Sequence, residues 1–383
     1  MKRALMYASV ASMIQQFNME NIRLLLKLGY EVDVVCNMEQ GNTISADRIA
    51  EMKQELECMG VRIIHMPIPR KISSVANILR SIFESRKLMN NRLYDLIHCH
   101  SPIGGMTCRL ANRFSHNYQR VKMIYTAHGF HFFKGNHPLK NVLFRTIEVI
   151  LTRFTDVLIT INQEDYNAAK SFRLKKGGTV KYVPGVGIDL DRIDKFTQNR
   201  KEICRSLGIP TDSVMVLSVG ELNDNKNHRT VVEKLDQLPV NYHYLICGQG
   251  ANRSILEDIA RKHGCGKRLH ILGYREDVIS IMKSCDLFVF PSKREGLSVA
   301  LMEAMACGMP CFASNIRGNC DLITQDAGGM LFPVESFGEE FVVYINNIEN
   351  LLLFCETSSL KNERVIKNFS RKVVEKQMEA LYA

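Results

Sequence analysis

The stretch PSKREGLSVALMEAMACG, residues 291–308, sets two glutamates about an apolar run. Glu295 stands ahead of Leu297-Ser298-Val299-Ala300-Leu301-Met302, and Glu303 follows it. A buried carboxylate is costly unless it is paired or hydrogen-bonded, so a protein cation or a ligand must satisfy Glu303. Leu287–Phe290 reads as a strand that Pro291 ends. Val299–Cys307 reads as a helix, with Ser298 at its cap and Gly308 and Pro310 stopping it. The amides of Gly296, Leu297 and Ser298 would then be unsatisfied donors at a helix N-terminus, an arrangement that suits phosphate. Glu303 lies about one turn further in, where a carboxylate can accept two ribose hydroxyls. The plainer alternative is an ordinary helix with one capping glutamate and one glutamate paired to a Lys or Arg. Spacing alone leaves the two readings even.

A second segment, VGELNDNKNH at 219–228, follows the strand Val214–Val219, which ends at Gly220. Lys226 lies at the mouth of the next helix, expected over 227–237, where an ammonium can neutralise a diphosphate. Standing alone it would read as a solvated loop lysine. Both segments, however, follow strands of one expected domain.

Working outward, apolar runs alternate with amphipathic stretches along the chain. Strands are expected at Lys2–Ala8, Tyr30–Cys36, Val61–His65, Leu96–His100, Lys122–Thr126, Val157–Ile161 and Lys181–Val183, with a helix over Ile14–Leu28. The pattern restarts with Val214–Val219, Tyr242–Cys247, Leu269–Ile271, Leu287–Phe290 and Pro310–Ala313, and 188–212 reads as a linker. Strand–helix alternation predicts parallel sheets, so the fold class is α/β with two doubly wound domains, residues 1–190 and 191–367. Ligands of such sheets bind at the carboxyl ends of the strands, here expected at the cleft between domains. The tail is helical, and Val373, Val374, Met378 and Leu381 mark one apolar face that must dock.

Composition narrows the classes. A chain of 383 residues exceeds one ordinary core. Its 46% hydrophobic and 23% charged residues are those of a globular protein, and no run of eighteen apolar residues is present. The start, MKRALMYASVASMIQQFN, is basic then apolar, but Gln15, Gln16, Asn18 and Glu20 interrupt it, and strand-then-helix explains it better than a signal peptide. Twelve scattered cysteines, none in CxxC, read as reduced cytoplasmic thiols. His98/His100 and His128/His131 are read as strand-end and loop residues, with a metal site the minor reading. Residues 1–190 hold 26 Lys+Arg against 15 Asp+Glu, an excess of 11, while 191–383 hold 24 against 25. Such a basic half suits an anionic membrane or substrate; no nucleic-acid signature is present, so no nucleic-acid partner is expected.

Taken together, YTAHGFHFF (125–133), KYVPGVGID (181–189), VGELNDNKN (219–227), CGQG (247–250), LGYREDV (272–278) and FPSKREGLSVALMEAMACGMP (290–310) resemble the retaining glycosyltransferases of family 4. The resemblance spans nearly the whole chain, and the last segment is that family's E-x7-E motif. SVASMIQQFN and HGFHF look most like the branch that builds bacterial capsule, exopolysaccharide or lipid-linked oligosaccharides. The resemblance implies the GT-B fold, two Rossmann-like domains facing across a cleft, with the C-terminal helix (about 368–383) crossing back to the first.

It also implies roles. Lys226, beside Gly220, would hold the donor diphosphate, and Glu303 the ribose. Glu295 would bind the donor sugar, with Gly296, Leu297 and Ser298 offering amides to the distal phosphate. Tyr274 and Arg275 sit where the family's base-binding loop lies. His128 matches the histidine that contacts the donor sugar near the reacting carbon; its alternative is a core histidine. Ser9 and Ser12 fall in a loop, 9–13, near phosphate and acceptor, here without the usual glycine. One departure is Glu221, where many relatives carry Arg; either it points away, or Arg229, Arg275 or Arg294 compensates.

The implied reaction moves a sugar, an N-acetylhexosamine or hexose, from a UDP-sugar to a saccharide, carried on polyprenyl diphosphate, with configuration retained. Lys226 and the helix N-terminus would stabilise the leaving diphosphate, so no metal and no cofactor beyond the nucleotide-sugar are expected. The expected location is cytoplasmic, peripheral on the inner membrane face. Segment 70–92, RKISSVANILRSIFESRKLMNNR, interleaves cations with apolar residues as an interfacial helix does; a surface helix covering its own sheet is an equal reading. The rival functions are a non-hydrolysing nucleotide-sugar epimerase, against which E-x7-E argues, and a non-catalytic basic membrane- or polymer-binding protein.

Overall fold

A computed structural model of the chain describes residues 2–325, 327–347 and 351–383. It divides into two compact units, Met1–Val186 with Val373–Ala383, and Gly187–Lys372.

Unit 1 is built on a parallel sheet of seven strands: β1 Lys2–Val10, β2 Tyr30–Asn37, β3 Arg62–His65, β4 Leu96–His100, β5 Lys122–Ala127, β6 Val157–Thr160 and β7 Thr179–Tyr182. Their order is β3-β2-β1-β4-β5-β6-β7. β1 is buried from Ala4 to Val10, because helices cover both faces. That is why it reads as one apolar run. Its register, Ala4 opposite Val32 on one side and Leu96 on the other, puts the strand ends level. The helix Arg371–Tyr382 buries Val374, Met378 and Tyr382, at i, i+4 and i+8, in the apolar cluster with Met6, Val34 and Ile124. Burying such a side chain fully contributes about 1.5–3 kcal/mol, enough to order this short helix.

Unit 2 repeats the plan with six parallel strands: β8 Val214–Val219, β9 Tyr242–Cys247, β10 Leu269–Gly273, β11 Leu287–Phe290, β12 Cys311–Ser314 and β13 Gly329–Phe332, in the order β10-β9-β8-β11-β12-β13. Residues 188–212 are not a linker. They form the helices Leu190–Asp194 and Arg200–Leu207, and Ile193, Ile203, Cys204 and Ile209 enter the core with Met215 and Phe288.

In each sheet the winding reverses once, between β1 and β4 and between β8 and β11. Ligands of open parallel sheets settle outside the carboxyl ends of strands at such a reversal. Those ends carry Ser9 and His100 in unit 1, and Gly220 and Pro291 in unit 2.

Two expected helices differ. The one over 14–28 is two, Ala11–Phe17 and Met19–Lys27, broken at buried Asn18. Asn18 Nδ2 donates to the Met13 carbonyl, the side-chain-to-backbone competition that ends helices. The one over 227–237 shrinks to Arg229–Val232 and a 3₁₀ turn, Leu235–Gln237, after Asn227 takes φ 55°.

Candidate active site

In unit 2 the loop after β11 leads into the helix Val299–Ala306, with Ser298 Oγ accepting from the Leu301 amide at 3.3 Å. Lys226 Nζ lies 2.7 Å from Glu295 Oε1 and 4.7 Å above the Phe290 ring. The two loops are tied by their own backbone. Asn225 Nδ2 donates to the Arg294 carbonyl at 3.0 Å, and the Lys293 amide to the Asn225 carbonyl at 2.8 Å. Gly220 packs against this lysine: a Cβ on it would stand 3.1 Å from Lys226 Cδ and Cε and push the side chain aside.

The Glu303 carboxylate is mostly buried and makes no ion pair or hydrogen bond among the described residues. Burial pushes its carboxyl up to about 7, opposed by the more distant charge of Arg192. The plainer alternative, one glutamate paired to a Lys or Arg, is met by Glu295 with Lys226 and not by Glu303. Without a donor among the described residues, this carboxyl gains no compensation for its burial, which is what raises it.

Tyr274 follows β10, two strands from β8, and is 66% exposed. Arg275 is held by Asp277 in a two-point ion pair at 2.7 and 2.6 Å, and Arg229 by Glu233 at 2.6 Å. Glu221 is exposed. The cation that sequence reasoning missed is Arg317, whose Nε donates to the Glu295 carbonyl at 3.2 Å. It sits in the turn after β12, and Gly318 (φ 82°) lets that turn press on the Gly296 carbonyl, 2.2 Å from where a Cβ would stand. The one signal was its place: 315–318 follows β12, a strand of the sheet whose β8 and β11 lead to Lys226 and Glu295.

In unit 1, His128 follows β5, and its Nε2 lies 3.1 Å from His100 Nδ1 at the end of β4. His98 is bonded on both nitrogens, Nδ1 to Tyr382 Oη at 2.7 Å and Nε2 to Thr126 Oγ1 at 2.8 Å. Burial drives all three imidazoles down, His98 to about 3, His128 to about 4, and His100 well below its ordinary value. They are neutral at physiological pH. His100 Nε2 is buried without a partner among the described residues. An orphaned N–H is rarer than an under-used acceptor, which assigns the His100 proton to Nδ1, donating to His128. His128 then carries its proton on Nδ1. His131 stands edge-on to Phe144 instead. Among the described residues, no group of three or more His, Cys, Asp or Glu is arranged to hold a metal.

Stretch 9–13 is not a loop: β1 runs to Val10 and a helix begins at Ala11. Ser9 and Ser12 are 6% and 4% exposed. Ser9 Oγ meets Ser101 Oγ and accepts from the Gly104 amide at 3.0 Å, while the Ser12 amide donates to Asn42 Oδ1 at 3.0 Å. Ser9 fastens β1 to the segment after β4, and the Ser12 amide fastens the start of the following helix to Asn42. Ser101, one residue past His100, takes φ 64°, a strained conformation of the kind functional sites retain at about 1–3 kcal/mol.

Two family models match nearly end to end: "Glycosyltransferase Family 4" over residues 14–192 and "Glycosyl transferases group 1" over 199–357. The chain belongs to the family 4 glycosyltransferases.

This glycosyltransferase is 27% identical over its whole length to EpsD of Bacillus subtilis (strain 168), which bears a glycosyltransferase name, covering 96% of it. It is 23% identical, over 93% of this chain and 90% of the other, to an Escherichia coli UDP-Gal:alpha-D-GlcNAc-diphosphoundecaprenol alpha-1,3-galactosyltransferase. Its fold matches that of Anabaena Alr3699/HepE, crystallised with UDP, at a TM-score of 0.75 and 18% identity, covering 100% and 99% of the two chains. The two Rossmann-like α/β units are those of the GT-B fold. No described helix of the transferase is long and apolar enough to cross a membrane.

Proposed function

We propose that this glycosyltransferase moves a sugar from a UDP-sugar to a saccharide carried on a polyprenyl diphosphate, with configuration retained, in the making of a bacterial polysaccharide. The observation that carries the donor half is the Lys226–Glu295 contact at the reversal of the unit 2 sheet, with Glu303 unpartnered one helix turn beyond. The relative's printed donor and acceptor, UDP-Gal and a GlcNAc-diphosphoundecaprenol, and the UDP of HepE support the substrate classes.

As the glycosidic bond breaks, negative charge grows on the departing diphosphate. Lys226 and the amides of Gly296, Leu297 and Ser298 face that charge, and fixed donors of this kind need no reorganisation when it develops. We assign Glu303 to the ribose hydroxyls, Glu295 to the donor sugar, and Tyr274 and Arg275 to the base. On unit 1, the Nδ1–H of His128 is our candidate for the sugar near the reacting carbon. The exposed apolar side chains of the helix Pro138–Thr152 (Leu139, Val142, Leu143 and Ile150), beside Lys140 and Arg145, support a peripheral seat on an anionic membrane.

Calorimetric titration of UDP, GDP and ADP into the wild type and Glu303→Ala tests the reading. UDP should bind, and Glu303→Ala should weaken it by about 1–3 kcal/mol, the range for leaving buried polar partners unpaired. Equal binding by the variant would reduce Glu303 to a structural residue.

A further inference from the structure

In unit 2, Glu295 is held by its backbone as well as by its carboxylate, and the grips come from different strands. Asn225, in the loop after β8, holds the two residues before it. Its carbonyl accepts the Lys293 amide at 2.8 Å, and its Nδ2 donates to the Arg294 carbonyl at 3.0 Å. Arg317, in the turn after β12, holds Glu295 itself, Nε donating to the Glu295 carbonyl at 3.2 Å. A guanidinium on a carbonyl makes a charge-assisted bond, about twice as strong as a neutral one.

The turn that carries Arg317 is itself tied down. The Asn315 amide donates to the Phe332 carbonyl of β13 at 2.7 Å, and the Ile316 amide to the Ser314 carbonyl at 2.9 Å. Asn319, fully buried, closes the turn from its far side, Nδ2 donating to the same Ser314 carbonyl at 3.1 Å. Gly318, at φ 82°, then lies against the donor loop. A Cβ there would stand 2.2 Å from the Gly296 carbonyl oxygen and 3.3 Å from Leu297 Cα, so both its conformation and its closeness call for glycine. The turn therefore presses on the two residues after Glu295 while Arg317 holds Glu295. At the other end, the Glu295 carboxylate rests on Lys226 Nζ at 2.7 Å. On the donor reading, a diphosphate draws Lys226 to itself. The carboxylate then loses that partner, and its aim is set by the backbone grip.

We propose that Arg317 is the positioning residue for Glu295: by fixing the Glu295 carbonyl it aims the carboxylate at the donor sugar, and so sets which sugar the site accepts. The inference rests on the assignment of Glu295 to the donor sugar made above and adds the residue through which that assignment becomes selective. A carboxylate accepts hydroxyls along a few directions only. Two sugars that differ at one hydroxyl are told apart while the acceptor is held still, and a shift of about 1 Å is enough to cost about 10²-fold. Arg317 itself touches no substrate in this role. The plain alternative is a turn that packs unit 2 together and has no bearing on the sugar.

The test is calorimetric binding to the full chain of UDP and of four UDP-sugars, those of glucose, galactose, N-acetylglucosamine and N-acetylgalactosamine. In the wild type the best-bound sugar should bind at least about tenfold tighter than the worst, the low end of the range over which sites separate close analogues. Arg317→Gln should erase most of that spread while binding UDP no more weakly than the wild type, which also checks its folding. Arg317→Lys keeps the charge without the fixed fork of the guanidinium and should keep part of the spread. Glu295→Gln should erase the spread by itself, and adding Arg317→Gln to it should change nothing further. A spread undiminished in Arg317→Gln, or a further loss on the Glu295→Gln background, overturns the proposal. So does weaker binding of UDP itself by Arg317→Gln, which would make Arg317 a phosphate ligand or a mere prop of the loop. UDP bound by the wild type with all four sugars bound alike sinks this inference alone, whereas UDP unbound by the wild type sinks the donor reading.

Discussion

Lys226 and Glu295, 69 residues apart, meet at 2.7 Å with side chains only 20% and 13% exposed. Both belong to the donor half of the proposed site, so in the free protein the diphosphate's cation is already engaged. A bound nucleotide must share or displace Glu295. Glu295→Gln should therefore bind UDP at least as tightly as the wild type, because the competing carboxylate is gone. Transfer by that variant should nevertheless fall about 10²-fold or more, the effect of misplacing a reacting group. Lys226→Ala should lose UDP affinity and about 10²–10³-fold in transfer, as for one fixed donor to developing charge. Calorimetry beside steady-state rates separates these. Weaker UDP binding by Glu295→Gln would mean the pair acts as one unit.

The raised carboxyl of Glu303 predicts a pH dependence with a definite sign. Ribose hydroxyls donate to the ionised form, so nucleotide binding favours proton loss. UDP affinity should fall as pH drops below about 7, approaching tenfold per unit. Glu303→Gln should flatten the profile. Titrations at pH 5.5, 7 and 8 decide it, and a wild-type profile already flat would dismiss the ribose role.

The same shift bears on stability. Glu303 binds its proton more tightly folded than unfolded, so its contribution weakens as pH rises from about 4.5 toward about 7. Glu303→Gln should raise the melting temperature of the unit 2 transition at pH 8 and leave it unchanged at pH 5. A shift of about 2–4 °C accompanies each kcal/mol recovered. Scanning calorimetry at the two pH values measures this, and a loss of stability at pH 8 would contradict it.

The architecture was legible because buried parallel strands read as continuous apolar runs, β1 and β9 above all. β13 escaped notice: it is a four-residue edge strand, half exposed, opening on Gly329. The break at Asn18 rests on one side-chain hydrogen bond that periodicity cannot register. In the site, Lys226 and Glu295 were visible singly as residues after strand ends. Their contact was not, because it depends on β8 and β11 being neighbours. Arg317 lay in a segment with no motif spacing to mark it. The open loop pictured at 9–13 failed because the strand passes directly into a helix, which encloses Ser9 and Ser12.

On the proposed role of His128, its bond with His100 would make His100 a positioning residue. His100→Phe removes the donor that holds His128 in its Nδ1–H form, and should lower kcat about tenfold or more, within the 10²-fold reach of small misplacements. UDP affinity should stay unchanged. Nitrogen-15 spectra should show His128 protonated at Nδ1 in the wild type and mixed tautomers in the variant. An unaltered tautomer would remove His100 from the mechanism.

Three histidines held neutral by burial also set the acid limit of unit 1. Each has a folded pKa below its unfolded value near 6.5. The unfolded chain therefore takes up protons first, and stability present above pH 6.5 is lost as pH falls, by up to about 1.4 kcal/mol per unit for each group. Tyr382 guards this cluster from the end of the chain: it is fully buried, its hydroxyl on His98 Nδ1 at 2.7 Å and its carbonyl taking the Tyr30 hydroxyl at 2.9 Å. Tyr382→Phe should cost about 1–3 kcal/mol by leaving His98 Nδ1 unpaired, and Tyr382→Ala about 3–5 kcal/mol, as for other large aromatic truncations. Urea denaturation at pH 7 should show both losses in the unit 1 transition, with UDP binding to the Tyr382→Phe protein retained. A Tyr382→Phe protein as stable as the wild type would mean that water replaces the hydroxyl and that the C-terminal helix docks through its apolar face alone.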